Sequence, residues 1–273
     1  MFRWVKMHTI NTKNFDLRTD LVIDNNINNI VYKHNNISVS FYENDGFKYS
    51  SIIFKDITDK EEINNIEECL IKELNNYIDS NNILIIGLGN KKSTADALGP
   101  KVLERILVTR HLFSFGNVEE GYSKVSIFEP SVFGVIGIDS TKLIKKVVEL
   151  VNPDICILID SLCTSSINRL NTVIQITDKG INPGSGVFND RGELSKNTLN
   201  CKVIAIGVPT VVDMDSVIIN ILKDNNINEI SLEDNLIVTP KEIDYLIDKL
   251  SYVIGNSINK VIHPIIRQNN SIK

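Results

Sequence analysis

Ile83-Leu84-Ile85-Ile86-Gly87-Leu88-Gly89-Asn90, followed three residues later by Thr94-Ala95-Asp96-Ala97-Leu98-Gly99-Pro100, is the passage that decides the fold. An unbroken apolar run that stops at glycines reads as a strand buried on both faces. The glycines read as a tight turn into a helix, expected over Ala97–Leu107. The same signal recurs at Ile155-Cys156-Ile157-Leu158-Ile159, which ends in Asp160, and at Val203–Ile206. Lys124–Phe128 and Thr172–Ile176 are further short strands, while Thr141–Val151, Val211–Leu222 and Lys241–Ile254 have helical character. Continuous apolar strands alternating with amphipathic helices predict an α/β fold with a mixed, mostly parallel sheet covered by helices on both faces.

Upstream, the first 57 residues read as short extended pieces, Leu21–Ile23, Ile37–Phe41 and Ser51–Phe54, punctuated by turns such as Asp45-Gly46. Thr58 with Glu61 three residues on has capping-box spacing. The helix it opens carries Ile63, Ile66, Leu70, Leu74 and Tyr77 on one face. One α/β domain with a small N-terminal β-containing lobe (about 15–80) and a core (about 81–265) is expected.

Composition narrows the function classes. A chain of 273 residues with 42% hydrophobic and 23% charged residues is ordinary for a globular protein. A net charge of -5 gives no basic footprint for nucleic acid. No apolar run is long enough to span a bilayer, and the start lacks the pattern of a signal peptide, so a reducing cytoplasm is expected. Cys69, Cys156, Cys163 and Cys201 show no C-x-x-C spacing and no disulfide framework.

Ligands of open α/β sheets bind beyond the carboxyl ends of the strands. Two carboxylates are directed there, Asp96 at a helix entrance and Asp160 at the end of a strand, 64 residues apart. Two carboxylates in one crevice offer a base to activate water and an acid for the leaving group. A helix cap and a strand-end aspartate are the plain alternatives, and spacing leaves both readings standing. Gly87-x-Gly89 begins a dinucleotide fingerprint, but Lys92 stands where its third glycine belongs. Pro183-Gly184-Ser185-Gly186 lacks the nucleophile-elbow pattern and reads as a loop suited to substrate contact. No histidine pair has zinc-peptidase spacing, so no cofactor or metal is expected. His111 reads as a residue at a helix end, Cys163 as a small core residue, and Lys101, Arg105 and Arg110 as a solvated face.

Taken together, several blocks resemble the germination protease family of spore-forming bacteria. They are Phe15-Asp16-Leu17-Arg18-Thr19-Asp20-Leu21, Gly87-Leu88-Gly89-Asn90 through Lys101, Leu107–Phe113 and Val118–Tyr122. Asn171-Thr172-Val173-Ile174-Gln175-Ile176, Pro183–Val187, Ile204–Asp213 and Val238–Asp244 continue the series. The resemblance implies an aspartic-type endopeptidase that cleaves small acid-soluble spore proteins in the spore core, with Asp96 and Asp160 as its catalytic pair. It implies a zymogen with a pro-segment of about residues 1–14, a homotetramer, and a fold similar to hydrogenase maturation peptidases. Two departures stand out: Ala95 replaces the usual proline, and Ser161-Leu162-Cys163-Thr164-Ser165 follows the second aspartate where relatives often carry an arginine. A metal-dependent peptidase of the maturation type and a non-catalytic binder of spore proteins are the rival readings. A nucleotide-binding oxidoreductase is a third.

Overall fold

Each apolar run finds its place in one mixed sheet. The computed structural model describes residues 8–11, 21, 30–116, 118–183, 192–224, 229–232 and 236–270. In chain order the strands are β1 (His8–Asn11), β2 (Ile30–His34), β3 (Ile37–Asn44), β4 (Phe47–Ile53), β5 (Asn82–Gly87) and β6 (Lys124–Phe128). β7 (Ile155–Thr164), β8 (Val173–Thr177), β9 (Lys202–Asp213), β10 (Glu229–Leu232) and β11 (Ile237–Val238) follow. The helices are α1 (Lys60–Leu74), α2 (Leu98–Leu103), α3 (Arg110–Phe115), α4 (Phe133–Ile136) and α5 (Ser140–Val151). α6 (Lys196–Leu199), α7 (Met214–Asp224), α8 (Ile243–Ile262) and α9 (Pro264–Asn270) complete the set.

The main sheet runs β2-β3-β4-β8-β9-β7-β5-β6, with β11 paired to the far end of β9; β1 pairs separately with β10. β6, β5, β7 and β9 are parallel, and this half carries both aspartates. β8, β4, β3 and β2 continue it antiparallel. The N-terminal strands therefore share the core's sheet through the β4–β8 pairing. Asp45 and Gly46 both have positive φ, 52° and 79°. That geometry makes the tight β3–β4 hairpin turn that Asp-Gly favours.

Alternation sends one side chain in two to each face of the sheet. One face packs Ile83, Ile85, Ile157, Ile159, Ile174, Ile204 and Ile206 under α1, α2 and α8. The other packs Leu84, Ile86, Leu158, Leu162 and Ala205 with Ile144 and Val148 of α5 and Leu199 of α6. Burying each such side chain contributes about 1.5–3 kcal/mol, which is why the runs Ile83–Ile86, Ile155–Ile159 and Val203–Ile206 are wholly apolar.

Several boundaries differ from the sequence reading. Asp59, not Thr58, caps α1, accepting the N–H groups of Glu61 (2.8 Å) and Glu62 (2.9 Å). α2 stops at Leu103 because Asn259 of α8 offers the chain other partners: its Oδ1 accepts the Leu107 N–H, and its Nδ2 donates to the Arg105 carbonyl. β7 and β9 run past their apolar cores. His111 lies at a helix end, but in the first turn of α3 and not at the C-terminal end whose dipole suits a cation. Arg105 pairs with Asp248 at 2.6 Å and Arg110 donates to Ser126 and Asn82, so neither belongs to a merely solvated face. The expected pro-segment boundary, the strand at Leu21–Ile23 and the loop Gly184-Ser185-Gly186 fall outside the described residues, Leu21 excepted.

His263, fully buried, closes the C-terminal end of α8. Its Nδ1 accepts the Ser123 N–H at 3.1 Å and its Nε2–H donates to the Leu107 carbonyl at 3.2 Å. Burial holds its pKa below the usual histidine value, opposed by the bond to Leu107. A second ring proton would also displace the Ser123 bond. The unfolded chain therefore binds this proton more readily, and stability from the neutral ring, full above about pH 6.5, is lost as pH falls. Thermal unfolding from pH 8 down to 5 should decline more steeply in the native chain than in His263→Asn; equal slopes would show that this ring carries no such linkage.

Candidate functional site

The site begins where β5 stops. Gly87 lies level with Ile159 of β7, so Asp160 is the first residue of β7 beyond the end of its neighbour. The sequence reading placed Asp160 at a strand end; β7 instead runs on to Thr164 beside β9. Past that end Leu88 donates its N–H to the Ile159 carbonyl, and the chain then turns back through the segment that bears the other carboxylate. Asn90 donates its N–H to the Asp96 carbonyl at 2.9 Å, and Thr94–Asp96 forms one 3-10 turn that packs on β7 and β9.

Glycine permits this approach at three points. A Cβ on Gly99 would lie 2.6 Å from the Ile159 carbonyl oxygen and closer still to that of Leu88. A Cβ on Gly87 would lie 2.5 Å from the Gly99 carbonyl. Gly89, at φ 108°, would run into the Asp96 carbonyl and come within 3.0 Å of its Oδ1. The glycine pair that failed as a nucleotide fingerprint thus serves backbone packing, with Leu88 N–H donating to Ile159 O at 2.8 Å.

The two aspartates differ in setting. Asp96 is half-buried, whereas Asp160 is only 8% exposed and accepts the Ser161 N–H at 2.9 Å. Asp160 shares its sheet face with Leu158 and Leu162, an apolar wall that disfavours charge. Level with it the register continues through Gly207, Gln175, Ser51 and Ser40 on the same face. The Gln175 amide and both serine hydroxyls are buried and make no hydrogen bond within the chain. The sequence reading missed this polar row, because a register five strands wide is not written in any one segment. A polar residue at a buried strand position, Gln175 between Ile174 and Ile176, was its single local signal.

Other candidates fall away. Cys163 is buried; burial also pushes the Cys156 thiol well up and those of Cys69 and Cys201 to about 11. Among the described residues, no three His, Cys, Asp or Glu side chains group as metal ligands. No helix among them is long and apolar enough to cross a membrane.

The family model for germination protease matches residues 15–224. The chain belongs to the germination protease family. It is 39% identical over 249 residues to the germination protease of Bacillus subtilis (strain 168), covering 68% of each chain. It is 38% identical over 245 residues to that of Caldanaerobacter subterraneus subsp. tengcongensis, covering 78% of this chain and 76% of the relative. The chain is accordingly a peptidase, a hydrolase of the spore-germination class. Among solved structures, the NiFe hydrogenase maturation protease HycI from Thermococcus kodakarensis KOD1 superposes with a TM-score of 0.42 at 16% identity, over 70% of this chain and 98% of that one. A likeness at that score carries no argument about the site.

The packing gives a direct test. Gly99→Ala should cost about 1–3 kcal/mol of stability and lower peptidase activity, since the clash is with backbone that cannot step aside. Gly134→Ala, where a Cβ meets nothing within 4 Å, should change either by little. Equal melting temperatures and rates for both variants would contradict the close approach at Gly99.

Proposed function

We propose that the chain is an aspartic-type endopeptidase that cleaves small acid-soluble spore proteins in the spore core, with Asp96 and Asp160 acting on one water. The observation that supports this is the packing of the turn that bears Asp96 against β7, the strand that carries Asp160, and against its neighbour β9. Membership of the germination protease family supports the substrate class.

The pair works as a unit. Two carboxylates in one crevice do not ionise independently, so one keeps a proton while the other is charged. The charged carboxylate takes a proton from water as its oxygen attacks the scissile carbonyl carbon. The protonated one hydrogen-bonds the carbonyl oxygen as charge develops there, and a proton then passes to the leaving amine as the C–N bond breaks. The wall of Leu158 and Leu162 strengthens these interactions by keeping the dielectric low.

The same reading makes residues 1 to about 14 a pro-segment removed near Phe15, and the working form a homotetramer. Exposed Phe115 of α3, and Phe133 and Ile138 in and after α4, lie on segments that adjoin β6 in sequence; β6 is the outermost strand of the parallel half. Such an apolar group suits a subunit contact. Phe115→Asp should shift the chain to a smaller species in light scattering; an unchanged mass would remove this surface from the assembly.

For the chemistry, Asp96→Asn and Asp160→Asn should each abolish trimming of the full-length chain and cleavage of a small acid-soluble spore protein, with rates down at least about 10³-fold. Folded variants with near-native rates would remove the dyad. Rates abolished by a chelator and restored by a divalent cation would replace it with metal-dependent hydrolysis.

A further inference from the structure

The pairing of β7 with β9 slips between Leu162 and Cys163. Leu162 faces Pro209 and Cys163 faces Val211, which leaves Thr210 as the extra residue of a bulge. Bulges re-aim a side chain and are frequent beside active sites. Thr210 is fully buried, and its hydroxyl donates at 2.6 Å to the carbonyl of Ala95, an atom of the peptide that joins Ala95 to Asp96. Thr210 is itself braced: its carbonyl accepts the hydroxyl of Thr239 at 2.8 Å.

The turn bearing Asp96 is held along its own length by local backbone bonds, Asp96 N–H to Ser93 O at 2.9 Å and Asn90 N–H to Asp96 O at 2.9 Å. Those bonds fix its shape. They do not fix its placement against the strand that carries Asp160. Beyond the glycine approach at Gly99, the Thr210 hydroxyl ties it there, because β9 is hydrogen-bonded directly to β7 along its length, with Gly207 level with Asp160. One side-chain bond therefore couples the Asp96 peptide to the strand pair that carries Asp160.

We infer that Thr210 is a positioning residue for the peptidase: its hydroxyl sets where the Asp96 carboxylate stands relative to Asp160, and Thr239 backs it. This rests on the dyad reading given above. It also gives the block Ile204–Asp213 a role beyond that of a buried strand, since the bulge residue lies within it.

Threonine gives a clean separation of hydroxyl from packing. Val keeps the shape and strand preference of Thr210 without the donor, Ser keeps the donor without the methyl, and Ala lacks both. The full-length chain and Thr210→Val, Thr210→Ser and Thr210→Ala are compared with Asp96→Asn on a small acid-soluble spore protein, reading kcat, KM and the pH–rate profile. Val and Ala should lose about 10- to 100-fold in kcat with KM little changed, as expected for a catalytic group displaced by about 1 Å. Ser should restore most of the rate. In Val, the two limbs of the pH profile should converge, because carboxylates allowed to drift apart couple less. Native kcat and profile in Val, beside an inactive Asp96→Asn, would overturn the positioning role and leave the dyad intact. Ser as slow as Ala would assign the effect to packing and overturn it equally. An active Asp96→Asn, or no cleavage by the native chain, would overturn the dyad reading and this inference with it.

Discussion

The site depends on a backbone-to-backbone approach in which α2 enters against the ends of two strands at Gly99. Helix and strand backbones ordinarily stay a side chain apart. Here a Cβ would meet the carbonyls of Leu88 and Ile159, and Gly87 faces Gly99 across the same contact. That removes the spacer, and the turn preceding α2 packs against β7 and β9. Three glycines, by withholding their side chains, let the segment that bears Asp96 approach the strand that carries Asp160, 64 residues away in sequence.

The surrounding sheet tolerates an unfavourable arrangement. Asp160 is 8% exposed beside Leu158 and Leu162, and a charge at that depth costs several kcal/mol unless it is paired or hydrogen-bonded. The Gln175, Ser51 and Ser40 row, on the antiparallel strands β8, β4 and β3, adds buried polar groups with no bond to a described residue. The cost of such groups falls on a fold with a large apolar core.

Much of this was legible in the sequence. Lys124–Phe128 is a strand with the expected bounds, the run Ile83–Ile86 lies at the centre of β5, and Ile155–Ile159 forms the first half of β7. Apolar runs mark buried strands because only such residues fill both faces. What escaped was set by partners distant in sequence. β7 and β9 extend each other through Ser161, Thr164 and Pro209, none of which signals a strand. Asn259, 154 residues beyond Arg105, helps to end α2. Asp59 displaced Thr58 as the cap of α1 although both are good capping residues, a choice spacing does not settle. The aspartates were visible as carboxylates at a helix entrance and directly after an apolar run, while Thr210 and Gln175 depend on a bulge and a register that exist only once the sheet is assembled.

A high-resolution neutron structure of the full-length chain, read at the two carboxyl groups, tests the central claim most directly. Oxygens of both side chains should lie within hydrogen-bonding reach of a single ordered water, with one deuteron shared between the two acids. Carboxylates facing separate bodies of solvent, each with its own hydration and no common water, would contradict it.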